Sequence, residues 1–493
     1  MPRPTPVGRP LRSLVPEVGR WDVVGDPETL VTGITLDSRD VRPGDLFAAL
    51  PGEHTHGRRF IEQARQLGAV AVVTDQVGSE DAGDLPVLIG ADPRADLGAI
   101  SAAVYGHPGR DLTLVGVTGT NGKTTVTHLV SAGLRAAGNR VGMIGTAGVS
   151  IHDELLPAVR TTPEAPDTHA LLALMRERGV SDVVMEVSSH ALVLGRVDGL
   201  TFDLAAFTNL SPDHLDFHGD MESYFAAKAM LFTPRRSRRA VVGVDDEWGR
   251  RLAESLSIPV TTVALDRDGD VTVVERHPDE HGRQRITLDA EGTTHSFDLA
   301  LPGDFNAQNA SIAWAMLHIL GVTDRVIGIG LSQARVSGRM EIVDAGQPFA
   351  IIVDYAHSPD AVDRVLRSIH ADGRRIVVLG CGGDRDRAKR PLMGRIAADG
   401  ADVLIVTDDN PRSEDPQTIR AQMLEGIDPR RRDRVLEIAD RRAAIATALQ
   451  QARPGDVVLI LGKGHETGQE IAGITHPFDD RDVARDLLAR ETA

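Results

Sequence analysis

The sequence predicts an α/β protein of three domains: a small N-terminal α/β domain over residues 1–108, a central parallel-sheet domain built on a phosphate-binding loop (P-loop) over 109–337, and a C-terminal Rossmann-like, doubly wound domain over 338–493. Three observations carry that expectation. At 493 residues the chain exceeds what one hydrophobic core organises. Apolar strand-like runs alternate with segments of helical spacing. Those strands repeatedly end in polar, chemically loaded loops, where open parallel sheets bind ligands.

The N-terminus, Met1-Pro-Arg-Pro-Thr-Pro-Val-Gly-Arg-Pro10, carries charge but no apolar core, so it is not a signal peptide, and residues to about Pro16 read as a flexible leader. Val31 to Leu50 holds two short strands either side of a Pro43-Gly44 turn. Phe60 to Leu67 has helical spacing, Ala69 to Thr74 is a buried strand, and Ala95 to Tyr105 is a helix broken by Gly106-His107-Pro108-Gly109. That breaker is the first boundary.

The central domain opens with Leu112-Thr-Leu-Val-Gly-Val117, an apolar run that reads as a strand buried on both faces. It leads into Gly119-Thr120-Asn121-Gly122-Lys123-Thr124-Thr125 and then a helix. Strand, glycine-rich turn, Lys-Thr and helix are the parts of a P-loop. Backbone amides wrap the phosphates, Lys123 adds a point charge and the Thr124 hydroxyl reaches magnesium. The strict G-x-x-x-x-G-K-[ST] spacing fails, because Val117 stands five before Gly122; the shorter G-T-x-G-K-[ST] form remains. A nucleoside triphosphate is the expected ligand. Asp182 to Glu186 then leads into Ser188-Ser189-His190, and Leu204 to Thr208 into Asn209-Leu-Ser-Pro-Asp-His214-Leu-Asp216. Val271-Thr-Val-Val and Arg285-Ile-Thr-Leu-Asp read as an antiparallel hairpin at a sheet edge, and Asn306 to Leu320 as a helix. Near Val336-Ser-Gly-Arg339 lies the second boundary. Beyond it come Ala350 to Asp354, Arg375 to Gly380, Asp402 to Thr407 and Asp456 to Leu461, each strand followed by a loaded loop and separated by helices.

Composition excludes several classes. With 41% hydrophobic and 25% charged residues, neither disorder nor a membrane is favoured, and no run approaches the roughly 18 apolar residues of a span. Aromatics at 3% leave no stacking platform for single strands, and a formal net charge of −17 argues against nucleic acid. Cys381 is the lone cysteine, so a disulfide-free, cytoplasmic protein is expected.

Glu186, at a strand end, could hold the nucleotide's magnesium or be an ordinary strand-end acid. Asp213-His214-Leu-Asp216-Phe-His218 alternates His and carboxylate like a transition-metal site, but with a P-loop in the domain magnesium is favoured over zinc, and His218 is expected to be structural. Arg385 and Arg412, each ordinarily a solvated surface arginine, both follow strands of one sheet and could fork onto the carboxylates of one small substrate. Glu466 would offer an acceptor to its ammonium. The set describes a site for an amino acid with several charges.

Gly119 to Thr125, Glu186-Val-Ser-Ser-His190, Asn209 to Asp216, Gly303-Asp-Phe-Asn-Ala-Gln-Asn309, Ser337-Gly-Arg339 and Asp354-Tyr-Ala-His357 together resemble the Mur ligases, over almost the whole chain. Leu36-Asp-Ser38-Arg, Thr161-Thr162-Pro, Cys-Gly-Gly-Asp-Arg385-Asp and Asp409-Asn410-Pro411-Arg412 narrow the likeness to the branch that adds the third peptide residue. The resemblance implies a cytoplasmic, monomeric, ATP- and Mg2+-dependent ligase. Its substrates would be UDP-N-acetylmuramoyl-L-alanyl-D-glutamate (the UDP-MurNAc-dipeptide) and a diamino acid, with the Asp-Asn-Pro-Arg form pointing to meso-diaminopimelate rather than lysine.

By the same resemblance, Gly119 to Thr125 with Asn309, Arg339 and Asp354 would hold ATP. Thr124 and Glu186 would bind one magnesium, and His214 with a carbamylated Lys228 a second; Lys123, Lys228 and His214 would be catalytic. On the residues alone, Lys228 is a surface lysine on a helix. Leu36, Ser38, Thr161, Thr162, Ser188 and Arg196 would meet the UDP-linked substrate, and Arg385, Asp409, Asn410, Pro411, Arg412, Gly462 and Glu466 the diaminopimelate. Leu194 and Arg160 stand where some relatives have glutamine and asparagine. The implied reaction runs through an acyl phosphate, whose protection from water would need the C-terminal domain to close on the central one. A folylpolyglutamate-type or D-glutamate-adding ligase is disfavoured by Arg385 and the Asp409 to Arg412 run, and a GTP switch by the lack of any Asn-Lys pair.

Overall fold

A computed structural model describes residues 2–15, 21–52, 55–152, 154–156, 160–278, 283–369 and 371–491. The chain divides into two units, Met1–Val263 with Ile312–Ile327, and Ala264–Ser311 with Gly328–Ala493.

The first unit begins with a five-stranded sheet of β1 (Trp21–Val24), β2 (Gly33–Thr35), β3 (Asp45–Ala48), β4 (Ala71–Thr74) and β5 (Val87–Gly90), in the order β1-β5-β4-β3-β2. Helices α1 (Ile61–Gln66) and α2 (Pro93–Val104) belong to it. Alternate residues face opposite sides: Leu46, Ala71, Val73 and Leu88 join one buried cluster, and Phe47, Val72 and Val87 the other. The strands flanking Pro43-Gly44 pair in parallel, Gly33 opposite Asp45, so the turn there is part of a crossover rather than a hairpin. Residues 2–15 correct the expectation of a flexible leader (Pro16 lies outside the described residues). Leu11 and Leu14, three apart on a short 3-10 turn, are fully buried, and the Arg3 guanidinium pairs with the Asp45 carboxylate at 2.6 Å. The apolar spacing was there in the sequence; the surface that receives it was not.

The same unit continues with β6 (Thr113–Thr118), α3 (Lys123–Ala136), β7 (Val141–Gly145), β8 (Gly148–Ile151), β9 (Glu154–Leu156), α4 (Ala165–Glu177), β10 (Asp182–Glu186), α5 (Ser189–Val193), β11 (Leu204–Phe207), α6 (Leu215–His218), α7 (Met221–Ala229), β12 (Ala240–Gly243), α8 (Glu247–Ser255) and β13 (Val260–Ala264). The strands lie in the order β9-β8-β7-β10-β6-β11-β12-β13, parallel from β7 to β13. β6 is central and buried from Leu114 onward, which explains its unbroken apolar run. Register sets Glu186 opposite Val117 and Phe207 opposite Thr118, so three neighbouring strands end at one level.

In the second unit, β14 (Val271–Pro278), β15 (Gln284–Ala290) and β16 (Thr293–Leu299) form an antiparallel meander, one strand longer than the expected hairpin. Helices α9 (Asp304–Ile319) and α10 (Asp324–Gln333) run across the division between units. Then come β17 (Glu341–Ile342), β18 (Ala350–Asp354), α11 (Pro359–Ser368), β19 (Arg375–Leu379), α12 (Lys389–Gly400), β20 (Val403–Val406), α13 (Pro416–Glu425), β21 (Val435–Glu437), α14 (Arg441–Gln451), β22 (Val457–Leu461), β23 (Gly468–Ile471), β24 (Ile474–Pro477) and α15 (Asp480–Glu491). The sheet order β17-β18-β22-β19-β20-β21 is parallel except at β17. Val377, Leu379, Leu404 and Leu459 pack on one face and Ile376, Val378, Ile405 and Ile460 on the other. Both faces are covered, as a doubly wound sheet requires. No helix among the described residues is long and apolar enough to cross a membrane.

Candidate active site

Many of the candidate side chains lie, in each unit, at the C-terminal ends of parallel strands, where open sheets bind ligands. In the first unit β6 runs into Gly119–Gly122, and α3 starts at Lys123. Only glycine serves at 119: φ is +145°, and a Cβ would stand 1.9 Å from Thr208 Oγ1. The β11 loop clamps the turn. Thr120 N donates to Asn209 O at 2.8 Å, and Asn121 N donates to Asn209 Oδ1 at 3.0 Å. Lys123 Nζ folds back onto Gly119 O and Thr120 O at 2.9 and 2.8 Å, poised over the turn whose amides and helix N-terminus suit an anion.

Thr124 and Glu186 meet directly. Both are buried, and Thr124 Oγ1 donates to Glu186 Oε1 at 3.0 Å. Thr146, just after β7, holds the carboxylate with its backbone N–H at 2.8 Å and its hydroxyl at 3.2 Å. Two hard oxygen donors this close suit one hard divalent cation that keeps most of its own water. Thr161 Oγ1 is 2.9 Å from Thr146 Oγ1, while Thr162 Oγ1 donates to Glu186 O at 2.8 Å and accepts from Ser188 N at 3.1 Å. The expected dipeptide residues and the expected metal pair are thus one hydrogen-bonded chain. Ser188 caps α5 through Ala191 N, and Arg196 pairs with Glu164 at 2.9 Å. Ser38 is buried and donates to Gln63 Oε1 at 2.9 Å; Leu36 packs on the N-terminal core.

Lys228 overturns the expectation of a surface lysine. On α7 it is 1% exposed, with Nζ donating to Gly119 O at 2.7 Å and lying 4.6 Å from the Tyr224 ring centroid. Burial, reinforced by Lys123, pulls its ammonium well below the usual lysine range. The Tyr224 ring also faces His214 and His218, and its hydroxyl is 3.2 Å from Thr120 Oγ1. His214, on a left-handed backbone at φ +53°, is half exposed; desolvation lowers its titration and favours the neutral ring a metal needs. His190 stacks on Phe217 at 4.2 Å and, by burial and the neighbouring His214 and His218, is pushed down to about 4. His218 Nε2 lies 2.9 Å from Ser189 Oγ. Among the described residues no group of three His, Cys, Asp or Glu is placed to hold a metal.

The second unit holds Asn309, Arg339 and Asp354. Arg339 lies over the Tyr355 ring at 4.5 Å, its Nε buried without a hydrogen-bond partner among the described residues. Asp354 spends its oxygens on Met340 N and Ala356 N, both at 2.8 Å, and Asn309 Nδ2 donates to Asn306 Oδ1 at 3.1 Å. The loop after β19 is zipped to the loop after β20: Arg390, fully buried, forks onto Glu414, and Asp384 accepts from Ser413 Oγ at 2.8 Å. Arg412 sits at φ +53°, its Nη1 on Gly383 O at 2.7 Å and its Nε 3.5 Å from Glu470. Pro411 O accepts from Glu414 N, and Gly462 N donates to Asp354 O at 3.1 Å. Arg385, on the same zipped loops, is exposed, and its Nη1 donates to Asp384 O at 3.5 Å. Glu466 is already engaged: its Oε2 accepts from Asn410 Nδ2 at 2.7 Å and Lys463 Nζ at 3.2 Å. Lys463 and Thr146 had no role in the sequence reading. The Gly-Lys-Gly run following a strand was the available signal for the first; Thr146 had none.

Three family models match the chain: "Mur ligase family, catalytic domain" over residues 30–103, "Mur ligase middle domain" over 117–317 and "Mur ligase, glutamate ligase domain" over 338–464. The UDP-N-acetylmuramoyl-L-alanyl-D-glutamate–2,6-diaminopimelate ligase of Streptomyces avermitilis is 50% identical, with 99% of this chain and 98% of that protein covered. Its counterpart in Streptomyces coelicolor is 49% identical over the same shares. A solved structure of a ligase of that name superposes with a TM-score of 0.72 at 32% identity, covering 99% of this chain and all of the other. Sequence and fold agree, and the chain belongs to the Mur ligase family.

Proposed function

We propose that this chain joins meso-diaminopimelate to the γ-carboxylate of the D-glutamate in UDP-N-acetylmuramoyl-L-alanyl-D-glutamate, consuming ATP, in peptidoglycan precursor synthesis. The observation that carries this is identity of 50% along nearly the whole chain with a ligase named for that reaction. A monomer in the cytoplasm, with Mg2+ as its cation, completes the proposal. So does a division into domains at 1–108, 109–337 and 338–493, which the three matched segments support.

A carboxylate resists attack by an amine until one oxygen becomes a leaving group. Transfer of the ATP γ-phosphoryl to the γ-carboxylate makes an acyl phosphate and releases ADP. The neutral amine then attacks the acyl carbon, phosphate leaves, and the new amide loses a proton. Lys123 would exchange the carbonyls of Gly119 and Thr120 for phosphate oxygens, adding positive charge where two anions meet. Thr124 and Glu186 would hold one Mg2+, and His214 with Lys228 a second; when bound, the ions offset the charge of phosphate and carboxylate. For that second role Lys228 must add its amine to CO2, forming an N–C bond and releasing a proton. Its depressed titration supplies the uncharged amine that this step needs. Leu36 and Ser38 would meet the uridine end, Thr161, Thr162, Ser188 and Arg196 the muramyl dipeptide, and Asn309, Arg339 and Asp354 the nucleotide. Arg385 and Arg412 would take the carboxylates of the incoming amino acid, and Glu466, within the Asp409-Asn410-Pro411 and Gly462 loops, its ammonium.

Phosphate release is measured with ATP, Mg2+ and the muramyl dipeptide, comparing meso-diaminopimelate, lysine and ornithine. Release that depends on all substrates and strongly prefers diaminopimelate is expected. Equal use of lysine would overturn the choice of amine, and release without any amine would overturn ligation.

A further inference from the structure

We infer that Lys463 is the positioning residue of the amino-acid pocket: its buried ammonium fixes the Asn410 amide and the Glu466 carboxylate, and so governs affinity for the amine substrate. This rests on the ligase reading above.

Lys463 follows β22 and Gly462 and is 0% exposed. An ammonium so buried persists only with polar partners on its protons. Two hydrogen-bond acceptors hold it, Asn410 Oδ1 at 3.0 Å and Glu466 Oε2 at 3.2 Å, and Asp409 Oδ1 at 3.6 Å pairs with it as a charge. Asp409 Oδ1 is itself buried with no hydrogen bond, so the lysine is the charge that offsets it. Fully buried arginines of the same sheet are already paired, Arg390 with Glu414 at 2.9 Å and Arg441 with Asp480 at 2.7 Å.

The consequence falls on Asn410. Its Oδ1 faces two donors, the Lys463 ammonium and Glu470 N at 3.0 Å. Flipping the amide would set an NH2 group against both, so the orientation is determined. That orientation aims Nδ2 at Glu466 Oε2, 2.7 Å away. Asn410 and Lys463 both bond the same carboxylate oxygen, and Glu466 Oε1 takes no hydrogen bond among the described residues. Glu466 is thereby held by one edge and presents the other. With Asp409 and Glu466 ionised, the three charges sum to −1, a complement to one substrate ammonium; without Lys463 the sum is −2 and the amide loses its reference.

The test is Lys463→Met, which keeps the length of the side chain and removes its charge. The KM for diaminopimelate is expected to rise tenfold or more. The KM values for ATP and the muramyl dipeptide should stay within twofold, and kcat at saturating amine within threefold. An amine KM within twofold of the parent, or an equal rise in all three KM values, overturns the inference. Should the single variant fail to fold, Lys463→Met with Asp409→Asn removes the stranded carboxylate as well. It should fold and show an amine KM tenfold or more above that of Asp409→Asn alone; an amine KM equal to that of Asp409→Asn refutes the role. If the parent enzyme takes lysine instead, the substrate assignment fails and the same ratio is read on lysine. A parent that takes diaminopimelate with an unchanged Lys463→Met overturns Lys463 alone.

Discussion

Replacing Arg412 by alanine should collapse the preference for diaminopimelate over lysine. The guanidinium is about three-quarters buried, anchored on Gly383 O at 2.7 Å and near Glu470 at 3.5 Å. Alanine faces the same backbone strain at φ +53°, so the substitution isolates the side chain. The surrounding loops remain tied by Arg390–Glu414 and Asp384–Ser413, so the pocket should keep its shape. A guanidinium fork on a carboxylate makes two charge-assisted bonds of about 1.5–3 kcal/mol each. Solvent reaching the partly exposed group discounts the sum to about 3 kcal/mol, or roughly 100-fold in kcat/KM for diaminopimelate. Lysine has no second carboxylate, and its kcat/KM should hold or rise. Phosphate release with each amine over a concentration series gives both ratios. A selectivity within threefold of the parent would refute the assignment of Arg412 to that carboxylate.

Two further outcomes follow from the first unit. Glu186→Gln can still accept from Thr124 and Thr146 but carries no charge, so thermal stability should change little. Activity should fall about 100-fold and need more Mg2+ for half-saturation; an unchanged Mg2+ titration would count against the metal pair. His169 is fully buried, its Nε2 bonded to Asp198 O at 3.0 Å and its Nδ1 without a hydrogen-bond partner among the described residues, and burial pushes its titration down to about 4. The unfolded chain takes up that proton near pH 6.5, so between 6.5 and 4 unfolding binds a proton and stability falls as pH falls. The loss reaches about 2 kcal/mol at pH 5. His169→Gln, which keeps a donor for Asp198 O but does not titrate, should lose that part of the acid sensitivity of the melting temperature between pH 7.5 and 5; an identical acid shift in both proteins would refute it.

What the sequence determined is local. A buried parallel strand reads as an apolar run, a phosphate turn as glycines before Lys123 and Thr124, and a doubly wound sheet as strands that each end in a loaded loop. These depend on residues within a few positions of one another, and β6, β18, β19, β20 and β22 all stand where that reasoning put them. The meander past Ala290 and the parallel pairing around Pro43-Gly44 depend on which strands meet, and there the sequence reading fell short. Leu11 and Leu14, assigned to a free leader, needed the distant surface that buries them. The tertiary structure alone decided the electrostatics. Lys228 became a buried amine because α7 lays it on Gly119 O, 109 positions earlier in the chain. Lys463 gained a role because the loops after β20 and β22 close around its ammonium. Charge state and amide orientation follow from burial and from the partners that fill each valence, and those are contributed by residues far apart in the chain.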